Sequence, residues 1–317
     1  MSDGVRELVV ISGKGGTGKT SVVASFAALA RDKVLADCDV DAADLHLVLA
    51  PSIRHREDFV GGKSASVIAE KCIGCRKCED VCRFKAISLD GPANDVVAKT
   101  CRVDPVSCEG CGLCAYVCPV GAVDFSPGVN GEWYVSDTRH GPMVHAKLGI
   151  AAENSGKLVT LVRREARRIA SEDGFGLILV DGPPGIGCPV IASITGADMI
   201  LIVTEPTLSG LHDLERTARL ARHFRIPAAV CANKCDVNAD ITREIENRAG
   251  AMRLEMLGSI RYDDQVTAAQ IRGLSVVEHS DGDAAQDIRA LWDRVESRLN
   301  APPSTHEENR ERTQNPT

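Results

Sequence analysis

The sequence is short of positive charge: 37 Lys and Arg stand against 44 Asp and Glu, a formal net charge of −7. A surface of that sign excludes a broad electrostatic footprint on nucleic acid. No apolar run approaches the length of a bilayer span, so no membrane-crossing helix is expected. The first residues, Met1 to Glu7, show no basic segment followed by an apolar stretch. A secretory leader is therefore not expected, and the chain is placed in the cytoplasm. Aromatic side chains are scarce, while the apolar and charged fractions are ordinary for a globular protein. A length of 317 residues suggests about two domains.

Cysteine, by contrast, is abundant. There are thirteen, and nine of them fall between Cys72 and Cys118. In a reducing compartment such clustering points to metal rather than to disulfides. Cys72-x2-Cys75-x2-Cys78-x3-Cys82 is repeated 36 residues later as Cys108-x2-Cys111-x2-Cys114-x3-Cys118. This is the spacing of a bacterial ferredoxin with two 4Fe–4S clusters, in which the fourth cysteine of each block serves the other cluster. One cluster is thereby assigned Cys72, Cys75, Cys78 and Cys118, and the other Cys108, Cys111, Cys114 and Cys82. Zinc is the alternative, but zinc sites favour paired C-x2-C units set further apart. The first block departs from the pattern, because Cys82 is followed by Arg83-Phe84 and not by proline. Cys101 falls outside it and reads as a buried thiol or a redox-active one at a cluster edge.

A second motif lies near the N-terminus. The apolar run Leu8 to Ile11 reads as a buried strand, and Ser21 to Ala30 reads as a helix. Between them stands Ile11-Ser-Gly-Lys-Gly-Gly-Thr-Gly-Lys-Thr20. Strand, glycine loop and helix in that order form a phosphate-binding loop. Gly13, Gly15, Gly16 and Gly18 allow close backbone approach, and the amides from Gly13 through Thr17 to Ser21 would cradle phosphate. Lys19 would reach the β- and γ-phosphates, and the Thr20 hydroxyl would bind Mg²⁺. Further along, Lys33 to Asp37 is a short strand running into the acidic segment Asp37 to His46. Gly176 to Asp181 is a strand closed by a carboxylate, and Asp181 would hold a magnesium-bound water. Met199–Thr204, Ile226–Ala232 and Leu257–Ile260 read as further strands. Asn233 offers a carboxamide to a base edge. A helix through about Phe224 and a last helix from about Ala284 to Leu299, with Ile288, Leu291, Trp292 and Val295 on one face, complete the pattern. Residues 51–64 lose periodicity and read as a linker. Residues 126–156 carry no clear period, and Trp133, His140 and His145 there read as core or surface positions.

The sequence K-G-G-x-G-K-T from Lys14 to Thr20 resembles the deviant Walker A motif of the superfamily that holds MinD, ParA, Mrp and the nitrogenase iron protein. The resemblance implies that Lys14 reaches the nucleotide of a partner, in a nucleotide-dependent homodimer or a heterodimer with a related ATPase. Asp37 to Asp44 resembles switch I of these proteins. That likeness makes Asp39 the residue that orients the attacking water and helps Thr20 and Asp181 with Mg²⁺; Asp37, Asp41 and Asp44 are lesser candidates. Asp181-Gly-Pro-Pro-Gly185 resembles their switch II and implies that the Gly185 amide approaches the γ-phosphate. Cys188 follows where the iron protein carries a cluster cysteine; it reads either as a thiol near the dimer interface or as plain packing. Asn233-Lys-Cys-Asp236 is similar to the guanine-reading motif of GTPases, but Asn-Lys also occurs in MinD-type ATPases, so the motif does not settle adenine against guanine; the family resemblance implies ATP over GTP.

Over roughly residues 5–280 the chain is identified as a member of the MinD-superfamily ATPases that contain an inserted ferredoxin domain. An α/β fold is implied, a doubly wound parallel sheet with an inserted ferredoxin-like module carrying two 4Fe–4S clusters. The expected boundaries are 1–60 and 129–299 for the ATPase, 61–128 for the insert and 300–317 for a disordered tail. The expected function couples ATP binding, hydrolysis and dimerisation to electron transfer toward an unidentified redox or cluster-accepting protein. Mrp-type cluster delivery and a MinD-like switch with redox-sensing clusters are the alternatives.

Overall fold

The computed structural model describes residues 4–149 and 155–301. Its centre is a nine-stranded sheet. The strands of the first half are β1 (Arg6–Ser12), β2 (Lys33–Asp37) and β3 (Ser52–Phe59). An excursion follows, containing β4 (Gly62–Val67), β5 (Ile87–Ser88), β6 (Arg102–Val103) and β7 (Val123–Gly128). The sheet resumes with β8 (Gly131–Thr138), β9 (Gly141–Leu148), β10 (Leu177–Pro184), β11 (Met199–Thr204), β12 (Ala228–Asn233) and β13 (Glu255–Ile260). The strand order is β13-β12-β11-β1-β10-β2-β9-β8-β3. Every pair from β13 to β9 is parallel. The β9–β8 and β8–β3 pairs are antiparallel. The sheet is thus parallel-dominated, with an antiparallel hairpin and one strand added beyond the expected parallel core.

The helices are α1 (Lys19–Leu29), α2 (Leu45–Leu49), α3 (Lys77–Asp80), α4 (Leu113–Val117), α5 (Ser155–Asp173), α6 (Cys188–Ile194), α7 (Leu208–His223), α8 (Ala239–Ala251), α9 (Gln265–Ile271), α10 (Val276–His279) and α11 (Asp283–Asn300). Apart from α3 and α4, which belong to the excursion, they cover both faces of the sheet, which is why its central strands are continuous apolar runs rather than alternating ones. Side chains still alternate between faces. Val9, Ile11, Val34, Ala36, Val180 and Ile202 pack toward α5, α6, α7 and α8. Leu8, Val10, Leu35, Leu179 and Leu201 pack toward α1 and α11, where the Phe26 and Trp292 rings meet at 4.9 Å.

The stretch from Ser52 to Phe59, expected to be a linker, is the edge strand β3. It is exposed at every residue except Phe59, so it carries no alternation to read. Residues 126–156 hold the whole β8–β9 hairpin, with Trp133 and Val135 buried against the core. Asn300 closes α11, and the remainder of the expected tail, beyond Ala301, lies outside the described residues. Among the described residues no helix is long and apolar enough to cross a membrane.

The excursion from Gly62 to Gly128 has its own small core. β4 pairs with β7 and β5 with β6, both antiparallel. Inside are Ala65, Ile87 and Ala122 with Cys72, Cys78, Cys101 and Cys114. So few aliphatic side chains cannot hold a unit of this size without a staple or a metal group. Topology also fixes where this unit emerges. β9 runs parallel to β2, β8 and β3 reverse twice, and Phe59 pairs with Gly131, which pairs with Leu148. The unit therefore leaves the sheet at the carboxyl ends of the parallel strands, the edge that carries the glycine loop.

Candidate nucleotide and cluster sites

The glycine loop follows β1 and ends at Gly18, which caps α1 with φ +86°. That left-handed conformation favours glycine. A Cβ at Gly18 would also stand 2.2 Å from Asn233 Nδ2. The Asn233 amide instead donates to the Thr17 carbonyl at 2.7 Å, fastening the loop to the end of β12. Gly15 and Gly16 face open space. A cleft of about 410 Å³ lies before them, lined also by Thr20, Ser21, Asp39, Lys234, Arg261 and Gln270.

At its floor Lys19 is buried and meets two carboxylates: Asp181 at 2.5 Å and Asp39 at 3.4 Å. The Thr20 hydroxyl donates to the other Asp181 oxygen at 2.8 Å. Burial pulls the Lys19 ammonium down, but the charges of Asp181 and Asp39 outweigh it and raise its pKa. Burial raises Asp39, against the pull of Lys19. Asp37 is fully buried and raised well above the usual carboxylate range by desolvation and by the Asp181 charge. One of its oxygens accepts from the Asp39 amide at 3.1 Å, and the other has no partner among the described residues. Thr17 Oγ1 is buried and unpartnered as well. A lysine, a hydroxyl, two reachable carboxylates and a ring of loop amides make a donor set that fits a magnesium nucleotide.

Lys14 points away from this floor. Its ammonium meets Glu205 at 2.6 Å and donates to Ser209 at 3.0 Å and Thr207 at 3.3 Å. Glu205 also takes Lys234 at 3.3 Å. Burial opposes ionisation of Glu205, but these two lysines hold its carboxyl below its usual value. Gly185 lies beside the loop, its amide donating to the Ser12 carbonyl at 2.8 Å. Asp236 is not in the cleft lining and accepts from the Tyr262 amide at 2.7 Å. Gly13 packs against Asp213 instead of facing the cleft. Arg261 and Gln270 were not singled out from sequence, and Glu205 entered it only as the start of the Glu205-Pro-Thr to Leu214 run that resembles the superfamily, with no site role. The available signal is position: Glu205 and Arg261 directly follow parallel strands, where ligands of open α/β sheets bind.

The eight block cysteines gather in the small unit. Cys82, Cys108, Cys111 and Cys114 line one cavity together with Phe84 and Ile87. Cys72 and Cys78 share the unit's core, with Cys118 packed against it, while Cys75 is exposed. Amides aim at the sulfurs: Ala86 N–H donates to Cys82 Sγ at 3.3 Å and Ala122 N–H to Cys118 Sγ at 3.2 Å. Burial opposes the Cys118 thiolate, but the amides of Val120, Ala122, Val123 and Gly121 outweigh it and lower its pKa. Such an environment suits a metal-bound thiolate. Cys101 is buried next to Cys72, its amide donating to Cys72 Sγ at 3.5 Å. Cys78 is pushed up to about 12, by burial and by a contact with Cys101. Among the described residues no three His, Cys, Asp or Glu side chains converge on a single-ion site. The thiolates of a cubane bind four different irons and need not converge in that way.

The other candidates are separate. Cys188 is exposed at the start of α6. His140 pairs with Glu278 at 2.9 Å, and His145 sits in the sheet on Ser136 at 2.8 Å.

Comparison with known proteins agrees with both halves. A model of the 4Fe–4S dicluster domain matches residues 71–122. The uncharacterized protein MJ0578 of Methanocaldococcus jannaschii is 31% identical over 238 residues, 74% of this chain and 80% of that protein. The pyruvate synthase subunit PorD of Thermotoga maritima is 41% identical over 58 residues, 18% of this chain and 52% of that protein. Among solved structures, the septum site-determining protein MinD of Pyrococcus horikoshii, complexed with Mg-ADP, superimposes with a TM-score of 0.56. The match has 17% identity and covers 93% of this chain and 98% of that one. The fold is therefore MinD/ParA-like, with a 4Fe–4S dicluster domain inserted.

Proposed function

Because the chain belongs to the same family as MJ0578, joining a MinD-like fold to a 4Fe–4S dicluster domain, we propose that it binds and hydrolyses ATP and couples nucleotide state and dimerisation to electron transfer. The observation that carries this reading is the shared edge: the glycine loop and the stem of the cysteine-rich unit both stand at the carboxyl ends of the parallel strands. Lys19 would hold the β- and γ-phosphates. Thr20 and Asp181 would hold Mg²⁺, and Asp39 would orient water at the γ-phosphate. Lys14, held at the rim by Glu205, would serve a partner's nucleotide. Two 4Fe–4S clusters would bind to Cys72, Cys75, Cys78 and Cys118, and to Cys108, Cys111, Cys114 and Cys82, and supply one-electron transfer. The likeness of the cysteine blocks to a pyruvate synthase subunit favours electron transfer over delivery of a labile cluster.

The test uses anaerobically purified protein reduced with dithionite. Its reoxidation by a low-potential dye is followed with MgATP and with MgADP. ATP should change the rate by about fivefold or more, the lower end of ordinary coupling between two sites. Equal rates with both nucleotides, together with transfer of iron and sulfide to an apoferredoxin, would replace this reading with cluster delivery.

A further inference from the structure

The stem of the cysteine-rich unit passes through Gly61 and Gly62. Both amides donate to Asn130 Oδ1, at 3.2 and 3.0 Å. Asn130 is itself fixed, its amide donating to the Phe59 carbonyl at 2.8 Å and its carbonyl accepting from Gly149 at 2.7 Å. One side of the stem is thus sewn to the antiparallel edge of the sheet. The Gly61 carbonyl has a different partner: it accepts from Lys157 Nζ at 3.1 Å.

Lys157 stands in the first turn of α5. The residue before it, Gly156, lies against Cys188; a Cβ added to Gly156 would stand 3.5 Å from the Cys188 carbonyl oxygen and 3.6 Å from its Cβ. Those distances are ordinary van der Waals contact, so α5 and α6 touch here without a gap. Cys188 starts α6 at the end of the loop that leaves Asp181. The middle of the loop is tied to the glycine loop by the Gly185 amide on the Ser12 carbonyl. Contacts therefore run without a break from Ser12 through Gly185, Cys188, Gly156 and Lys157 to Gly61.

We propose that Lys157 is a positioning residue that ties the cluster-bearing unit to the nucleotide switch, so that a shift of the Asp181–Cys188 loop moves the stem at Gly61. The proposal rests on the nucleotide-binding reading above. An ammonium on a carbonyl at the surface contributes little to stability. The Lys157 side chain is exposed, so its loss costs the core nothing. Its importance lies in position. It joins the stem to α5, whereas Asn130 joins the stem to the antiparallel edge of the sheet.

The experiment is hydrogen exchange of the cluster-loaded full chain under anaerobic conditions, with and without a magnesium complex of a non-hydrolysable ATP analogue. The segments read are Gly62–Val67 and Val123–Gly128. In the unsubstituted protein the analogue should change their exchange rates by about fivefold. Lys157→Met should abolish that change, and Lys157→Arg, which keeps a donor, should retain it. All three should bind a fluorescent ATP analogue equally and melt alike. A Lys157→Met protein that keeps the nucleotide-dependent change overturns the proposal. So does an unsubstituted protein that binds the analogue without any change in these segments. An unsubstituted protein that binds no nucleotide removes the reading beneath the proposal, and the two failures are told apart by the binding titration.

Discussion

His145 offers a test of whether the β8–β9 hairpin is an integral part of the folded unit. The side chain is buried where the hairpin joins the parallel sheet, opposite Asp37 of β2. Its ring stacks on Tyr134 at 4.9 Å and its Nε2 meets the Ser136 hydroxyl at 2.8 Å. Burial, with a contribution from His46, lowers its pKa to about 4. The unfolded chain binds the proton near pH 6.5, so the folded form is the one that resists it. Stability from this group is complete above about pH 6.5 and is lost as pH falls toward 4. The gap between those values, at about 1.4 kcal/mol per pH unit, comes to about 3 kcal/mol. His145→Gln keeps a side-chain acceptor for Ser136 and cannot take the proton. The variant should be less stable at pH 7.5 by about 1–2 kcal/mol through lost packing. Its deficit should shrink steadily on acidification and reverse at about pH 5–6. Urea unfolding of both proteins at several pH values measures this, and acid damage to the clusters cancels in the difference. A deficit that stays constant across the range would refute the buried neutral histidine.

Gly18→Ala should destabilise by about 2–3 kcal/mol, from a left-handed backbone and from displacement of the Asn233 amide off Thr17; urea titration measures the first loss, and nucleotide affinity should fall with it. Lys14→Ala should bind ATP as well as the native chain yet fail to hydrolyse it, and an unchanged steady-state turnover would remove the role across a dimer. Anaerobic protein should carry about eight irons per chain, and Cys111→Ala about half of that; metal analysis that returned zinc in place of iron would end the cluster assignment.

Both halves of the molecule were legible because their chemistry sits in local spacing. Four thiols at intervals of three, three and four residues, or four glycines around two lysines, carry their meaning without a fold. Lys19 stands within contact of Thr20, Asp39 and Asp181. Glu205 and Gln270 were not legible, because strand order alone brings Glu205 to Lys14 and Gln270 to Ser21. Asp236 shows the converse: its place in an Asn-Lys-x-Asp run suggested base reading, yet its carboxylate is occupied by the Tyr262 amide. β3 was missed for a physical reason. An edge strand with both faces in solvent has no pattern to conserve, and charges such as Arg54, Arg56 and Glu57 protect it from pairing with other chains.

That edge strand also decides where the clusters stand. Had the chain passed directly from β2 through a crossover helix to β9, the cysteine-rich unit would have had no rigid root. Two antiparallel strands instead supply a seven-pair register from Ser52–Asp137 to Phe59–Gly131, closed by Asn130 on both stem glycines. Parallel strands bind ligand at their carboxyl ends, and two reversals of direction return the stem to that same end. The β9–β8 reversal by itself sets Gly131 beside Leu148, and the second reversal brings Phe59, the other root of the unit, to the same end. The number of antiparallel strands is therefore not incidental. Both roots of the unit stand at that end because β3 is added to β8, and a chain with β3 deleted should fold its parallel strands but lose any nucleotide effect on cluster reoxidation. A retained ATP effect on dye reoxidation in such a deletion would show that the coupling does not depend on this edge.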